Sequence, residues 1–186
     1  MEESQSGKFS TLEIKKIGEC LINHDSSISW ATKFEENFSN HIGVKYCISC
    51  NSGTSGLHAA LFAAGVGEGD EVIIPALTVI MDAYVVLHLG AVPVFADVIE
   101  ATHLIDPRDI ERKITSKTKA IITVSWEGLM CEMDEIMNIA SENNLIVIDD
   151  SARTVDGYYK NIVSGKAADI TVFSFESKKH LTCGGE

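Results

Sequence analysis

Apolar residues along the chain follow the period of a helix in some stretches and form short continuous runs in others. Apolar positions three and four residues apart predict helices. These cover residues 11–23, 31–41, 54–64, 81–89 and 133–143, and a further helix begins at Asp106 and Pro107. Short, nearly continuous apolar runs predict strands that are covered on both faces. These runs lie at residues 45–50, 71–75, 92–96, 119–124, 145–149 and 169–175.

The alternation of strands with helices predicts an α/β fold, with a mainly parallel sheet flanked by helices and wound by right-handed crossovers. With 186 residues, the chain is long enough for one sizeable domain with a buried core. In a sheet of this kind, ligands bind beyond the carboxyl ends of the strands. The residues that directly follow strands are therefore the candidates for chemistry.

The net charge, the apolar runs and the N-terminal sequence restrict the partners and the cellular location that we expect for this protein. The chain has 15 Lys and Arg residues and 27 Asp and Glu residues, and its net charge of −12 repels nucleic acid. No apolar run reaches the roughly 20 residues that span a membrane, so no membrane partner is expected. The N-terminus lacks the basic and apolar segments of a secretion signal, and five cysteines, an odd number, predict reduced thiols in the cytoplasm.

Two of the cysteines, Cys47 and Cys50, form a C-x-x-C pattern, which marks metal or redox sites in some proteins. Within a strand, however, residues three apart point to opposite faces. Residues 45–50 are therefore interpreted as a strand with buried cysteines. A metal or redox site is the alternative.

A run of small and hydroxyl-bearing residues follows the first predicted strand and opens directly into a helix. It comprises Ser52, Gly53, Thr54, Ser55 and Gly56. Small residues let backbone N–H groups approach a phosphate, hydroxyls add donors, and the helix N-terminus adds positive potential. The run is thus a candidate phosphate cup. An ordinary Ser/Thr helix cap with glycines in the turn is the alternative interpretation.

Carboxylates and lysines follow two later strands. Asp149 and Asp150 end one strand and project to opposite faces, so that one of them can meet a ligand. Lys178 and Lys179 come soon after the strand at residues 169–175. A lysine in partly desolvated surroundings can form a Schiff base with a carbonyl compound. The alternatives are a turn cap for the acids and a solvated loop for the lysines.

A phosphate cup, a carboxylate and a lysine at one edge of a parallel sheet match what pyridoxal 5′-phosphate (PLP) requires. The cup anchors the phosphate, the acid pairs with the pyridinium nitrogen, and the amine reacts with the aldehyde. The combination therefore predicts PLP as the cofactor, with no metal in the site.

Five stretches, in order along the chain, carry a more specific pattern. They are SGTSGLHAAL at 52–61, GVGEGDEVIIP at 65–75, GAVPVFAD at 90–97, DDSA at 149–152 and FSF at 173–175. With Lys179 they resemble the DegT/DnrJ/EryC1/StrS family of sugar aminotransferases, which are PLP enzymes of fold type I. The resemblance implies a helical arm over residues 1–30 and a PLP-binding large domain over residues 31–186. It stops where the family's glycine-rich continuation begins, so we expect an inactive fragment without the small C-terminal domain.

The resemblance also assigns roles to individual residues. Lys179 would form the Schiff base with PLP and then move the proton, with Lys178 only as a neighbour. Asp150 would stabilise the protonated pyridine nitrogen, and Arg153 would lie near the phenolic oxygen. The expected phosphate contacts are Gly53, Thr54, Ser55 and Ser174.

The activity that the resemblance implies is transfer of an amino group from an amino acid, glutamate or glutamine, to a keto sugar nucleotide, by a homodimer. Three positions depart from the family pattern. Val79 replaces an aromatic residue that stacks on the cofactor, Arg153 replaces Gln or His, and Ser125 replaces His. Two alternatives are a cofactor-binding protein without turnover, which Val79 and Arg153 favour, and an aminotransferase for a non-sugar ketone.

Overall fold

Helices and short strands alternate along much of the chain. The computed structural model describes residues 9–22, 29–183 and 185. Its helices are α1 (Thr11–Ile22), α2 (Trp30–Ile42), α3 (Gly53–Ala63), α4 (Met81–His88), α5 (Pro107–Lys113) and α6 (Met133–Asn143). Its strands are β1 (Glu71–Pro75), β2 (Val92–Ala96), β3 (Thr118–Val124), β4 (Ile146–Asp150), β5 (Tyr158–Tyr159), β6 (Ile162–Val163) and β7 (Ile170–Val172).

The chain divides into two units, Met1–Ser49 and Cys50–Glu186. The first contains α1 and α2, and the second contains the strands and the other helices. The boundary expected after residue 30, between a helical arm and a large domain, stays a prediction. Asn23, the predicted end of the first helix, lies outside the described residues. Within the described ranges, no helix combines the length and the apolar character needed to cross a bilayer.

Five strands of the second unit form one sheet in the order β2-β1-β3-β4-β7, and every pairing in it is parallel. Helices α4, α5 and α6 lie in the connections between successive strands from β1 to β4. The predicted α/β class with a mainly parallel sheet is confirmed. Because the strands are parallel, their carboxyl ends meet at one edge, where ligand sites form in such sheets.

Side chains on the strands alternate between two apolar layers, one on each face of the sheet. One layer packs Ile121 and Val147 against α5 and α6. The other packs Ile122 and Ile148 against α3 and α4. All four side chains are completely buried. This two-sided burial explains why the central strands β1, β3 and β4 read as continuous apolar runs.

Helix α5 begins as its sequence predicts. The side chain of Asp106 accepts a hydrogen bond from the backbone N–H of Arg108 at 2.9 Å, and Pro107 occupies the first turn. Proline costs nothing there, because the N–H that it lacks would have no partner within the helix.

Residues 45–50, predicted as a strand with buried cysteines, form no strand. Ile48 is 82% exposed. Cys47 is half-buried and Cys50 is exposed. Strand-forming residues do not make a strand unless a neighbouring segment pairs with them, because an unpaired strand gains no ladder of hydrogen bonds. This prediction is therefore wrong.

Three features of the second unit were not visible in the pattern. Strands β5 and β6 form an antiparallel hairpin of two residues each, too short to show a period. A 3-10 helix covers Trp126–Gly128. The run predicted as a strand over residues 169–175 ends at Val172, and residues 173–175 continue as irregular backbone.

Replacing Gly56 by alanine is expected to lower the free energy of unfolding by about 1–3 kcal/mol, as overpacking does. A Cβ atom at Gly56 would lie 2.9 Å from Cγ1 of Val172, so the Val172 side chain or the spacing between α3 and β7 would have to change. Gly67→Ala is the control, since no heavy atom lies within 4 Å of a Cβ atom there. Denaturant unfolding compares the two variants. Equal losses would contradict the tight approach of α3 to β7.

Candidate active site

A pocket of about 350 Å³ lies where β1, β3 and β4 end, and we call it the strand-end pocket. Three residues predicted for the site line it: Asp150, Arg153 and Lys179. Its other lining residues include Thr78, Val79, Ser125 and Trp126. A second groove, of about 440 Å³ beside α6, has none of the predicted site residues in its lining.

Asp149 points away from the strand-end pocket, toward the layer that contains α5 and α6. It is 1% exposed, and its carboxylate accepts hydrogen bonds from the hydroxyls of Thr123 at 2.8 Å and Ser125 at 3.2 Å. The hydroxyl of Ser151 donates to the same carboxylate. Burial raises the pKa of Asp149, and these hydroxyls oppose that rise. Asp149 is thus the acid that ties the ends of β3 and β4 together.

Asp150 occupies the opposite face of β4 and lines the pocket. Its side chain accepts a hydrogen bond from the backbone N–H of Ala152 at 2.9 Å. Burial raises the pKa of Asp150 to about 6, while that hydrogen bond and the positive charge of Lys179 act in the opposite direction. A buried acid and a lysine therefore influence each other electrostatically within one pocket.

The two adjacent lysines occupy different surroundings. Lys179 is half-buried and lines the pocket, whereas Lys178 is exposed. The backbone N–H of Lys179 donates to the carbonyl of Glu176 at 2.9 Å, and that of Lys178 donates to the Glu176 side chain at 2.9 Å. This turn gives the two side chains different exposure, a difference that their sequence alone does not show.

The candidate phosphate cup forms the N-terminus of α3. Ser52 caps the helix, and its hydroxyl accepts a hydrogen bond from the backbone N–H of Ser55 at 3.1 Å. The cap interpretation is therefore correct for Ser52. A Cβ atom at Gly53 would lie 3.3 Å from Cβ of Ser174, so α3 begins directly against the segment that follows β7.

The cup residues do not line the strand-end pocket; these are Gly53, Thr54, Ser55 and Ser174. They lie beside it, because β7 pairs with β4, Ser174 follows β7, and Gly53 at the start of α3 packs against Ser174. Ser174 follows Val172 by two residues, and Ser151 follows Asp150 directly. The structure thus brings three predicted residues into the pocket and the other four to the adjoining strand end.

Arg153 lines the pocket from its solvent side. Its side chain is 47% exposed, and its guanidinium lies 3.7 Å from the carboxylate of Glu127. Glu127 has a φ of 51°, in the left-handed region that favours glycine. An exposed ion pair of this kind contributes little to stability. The ion pair matters here because it holds the positive charge of Arg153 beside the pocket.

The profile of the DegT/DnrJ/EryC1/StrS aminotransferase family matches residues 21–186. The chain belongs to this family. It is 44% identical over 152 residues to GDP-perosamine synthase of Caulobacter vibrioides, covering 82% of this chain and 41% of that protein. It is 37% identical over 152 residues to L-glutamine:2-deoxy-scyllo-inosose aminotransferase of Streptomyces fradiae, covering 82% and 36%.

Solved structures of the family share the fold. NtdA from Bacillus subtilis with bound cofactor PMP (pyridoxamine phosphate) superposes with a TM-score of 0.85 at 32% identity, covering all of this chain and 44% of that one. The chain spans less than half the length of the curated relatives it matches. The family relationship thus covers the described sheet and the strand-end pocket.

The pocket also shows what distinguishes this member of the family and what the sequence did not reveal. Val79, where the family pattern has an aromatic residue, is 49% exposed and lines the pocket. The indole of Trp126 lines it as well. Ser125, in place of histidine, turns its hydroxyl to Asp149 instead. Another acid, Asp82, is completely buried, and the signal that could have revealed it was its place in an otherwise apolar helix.

Proposed function

We propose that this chain carries the cofactor-binding part of a PLP-dependent aminotransferase. The reaction moves an amino group from an amino acid, glutamate or glutamine, to a keto sugar nucleotide. The observation that carries this proposal is the presence of Lys179 and Asp150 in one pocket at the carboxyl edge of a parallel sheet. An amine and a buried acid that share a pocket are the pair that PLP chemistry requires.

The residues present fit this cofactor. Asp150 is 5% exposed, so a cationic ring nitrogen would meet a carboxylate with little competition from water. Val79 and Trp126 supply apolar surface for a ring. The α3 N-terminus supplies N–H groups that have no partners within the helix, and the hydroxyl of Ser174 lies beside Gly53. PLP, when bound, supplies an electrophilic carbon and a ring that withdraws electrons.

Each residue then has a defined task. The Lys179 amine acts as the nucleophile and afterwards accepts and returns a proton at its Nζ atom. The Asp150 carboxylate keeps a proton on the ring nitrogen through a charge-assisted hydrogen bond. Thr54, Ser55 and Ser174 hold the phosphate with hydroxyl donors, and Gly53 lets the backbone approach it.

The names of two relatives support the substrate classes. The name GDP-perosamine synthase contains a GDP-linked sugar. The name L-glutamine:2-deoxy-scyllo-inosose aminotransferase contains L-glutamine as a reactant. We extend both to this chain as the acceptor and donor classes. A homodimer and a cytoplasmic location are part of the same proposal. A cofactor-binding protein without turnover is the second candidate, and it is favoured by Val79, which offers no aromatic face.

Incubation of the PLP-loaded full-length protein with glutamate or glutamine separates these candidates. An aminotransferase converts the absorption of the bound PLP to that of pyridoxamine phosphate and releases the matching keto acid. Retention of PLP without this conversion would favour the protein without turnover. Failure to retain PLP would contradict both. A panel of keto sugar nucleotides and simpler ketones then identifies the acceptor.

Replacing Arg153 by glutamine is expected to raise, by a few tenths of a pH unit, the midpoint at which the absorption of bound PLP titrates. A cation beside the pocket favours the anionic form of the phenolic group and lowers its pKa. The change is small because the side chain is 47% exposed. Glu127→Gln is the control and should shift the midpoint downward, since it removes the counter-charge of Arg153. Identical titrations in all three proteins would place Arg153 outside the cofactor's influence.

A further inference from the structure

Asp82 is a buried acid in a helix that is otherwise apolar on its inner side. It is 0% exposed, and its neighbours Ala83, Val85 and Val86 in α4 are buried apolar residues. One carboxyl oxygen, Oδ2, accepts a hydrogen bond from the hydroxyl of Thr78. The other, Oδ1, has no hydrogen-bond donor among the described residues. Such an unpaired buried oxygen is costly and calls for a physical explanation.

The side chain of Asp150 supplies that explanation. The carboxyl groups of Asp82 and Asp150 interact directly, and Thr78, the hydrogen-bond partner of Asp82, lines the same pocket as Asp150. Two carboxylates cannot hydrogen-bond to each other, because an ionised carboxylate only accepts. One of the pair must therefore be protonated. The same requirement arises wherever two carboxyl groups share a buried site.

The surroundings decide which acid holds the proton. Asp150 receives the N–H of Ala152 and the positive charge of Lys179, and both favour its ionised form, against the negative charge of Asp149. Asp82 is completely buried and has the Thr78 hydroxyl as its other partner. Burial, followed by the charge of Asp150, raises the pKa of Asp82 to about 7. The Ala152 N–H and the Lys179 charge at Asp150 therefore favour the proton on Asp82.

We propose that protonated Asp82 is a positioning residue, which donates a hydrogen bond to Asp150 and keeps that carboxylate ionised and oriented for the ring nitrogen of PLP. This inference rests on the proposed function for its purpose. The proton shared by the two acids does not require the cofactor. The residue that touches the cofactor is Asp150, and Asp82 acts through it.

The shared proton predicts how the stability of the cofactor-free protein depends on pH. Because the carboxyl pKa values are raised in the folded state, the unfolded chain loses its protons first. Stability therefore falls as pH rises from about 4 to about 7. Asp82→Asn keeps a donor toward Asp150 and removes one titrating acid. The difference in melting temperature between this variant and wild type should grow by a few degrees, in favour of the variant, from about pH 5 to about pH 8.

Thr78→Val gives a second test with a different expected result. The Thr78 hydroxyl lowers the pKa of Asp82. Removing it should extend the loss of stability to higher pH, while Asp82→Asn should reduce that loss. Stability curves of both variants that run parallel to wild type would overturn the shared proton. A residue that merely fills space would give such parallel curves.

Equilibrium binding of PLP to the full-length protein tests the positioning role. Asp82→Ala removes the proposed Asp82 donor from Asp150 and should weaken PLP binding about tenfold, while Asp82→Asn should stay within about threefold of wild type. Equal affinity in all three proteins would overturn the positioning role. If wild type bound no PLP, the proposed function would fail, and the stability curves would still decide whether the two acids share a proton. If Asp82→Ala did not fold, the PLP affinities of Asp82→Asn and Thr78→Val would be measured across pH instead. Affinity ratios to wild type that stay constant at every pH would overturn the positioning role.

Discussion

Replacing Lys179 by alanine is expected to lower the rate of amino transfer by about 10²–10⁴-fold, the usual contribution of a positioned proton-transfer group. Lys179 lines the strand-end pocket with Asp150, so its amine is the group placed to react with PLP and to carry the proton. The variant should also lose covalently attached cofactor. Borohydride reduction of the PLP-loaded protein, followed by peptide mapping, should find the pyridoxyl group on Lys179 in wild type.

Lys178→Ala is the matched control for this experiment. The two residues are neighbours in one turn, but Lys178 is exposed and does not line the pocket. We expect near-normal turnover and full labelling of Lys179 in this variant. A pyridoxyl group on Lys178 would reverse the assignment of the two lysines. The absence of any label would contradict PLP as the cofactor.

Replacing Asp150 by alanine is expected to lower the rate of amino transfer by about 10- to 100-fold, which corresponds to the loss of one hydrogen bond to a charged group. Without this carboxylate, no buried acid in direct contact with the ring nitrogen would keep it protonated. Asp150 accepts one backbone N–H and lines a pocket, so folding should suffer less than turnover. Turnover rates and thermal stability are measured on the same preparations.

Asp149→Ala is expected to show the opposite balance. Its carboxylate is the acceptor for buried hydroxyls, including those of Thr123 and Ser125. Leaving such groups without their acceptor costs about 1–3 kcal/mol each. The variant should therefore lose stability first, and any remaining folded protein should keep its cofactor. If Asp149→Ala abolished turnover in a stable protein while Asp150→Ala had no effect, the two roles would have to be exchanged.

Local features of the sequence were enough for most of the sheet and for the start of several helices. The strands at residues 71–75 and 92–96 were predicted with their observed bounds, because continuous apolar runs there end at polar or small residues. The α5 cap was predicted because an acid followed by proline stabilises a first turn by contacts within a few residues. The opposite directions of Asp149 and Asp150 followed from the period of two in a strand.

The sequence alone also indicated the candidate chemistry and the family, because residues that follow parallel strands reach one edge of the sheet whatever the details of packing. The family was confirmed by the match over residues 21–186. The individual roles of Lys179, Asp150, Arg153 and the cup residues stay predictions that the experiments above test.

Contacts between distant segments decided the rest, because their energies depend on partners that no local pattern reveals. Residues 45–50 have strand-like composition but join neither of the sheets that the described residues form. Gly53 meets Ser174 only because α3 packs against β7, more than a hundred residues later in the chain. The Thr78 hydroxyl four residues earlier reaches only one oxygen of the buried Asp82 carboxyl group, and the sequence gives no sign that Asp150 lies near the other. The sequence by itself determined which groups reach the carboxyl edge, and tertiary packing decided which of them are buried together.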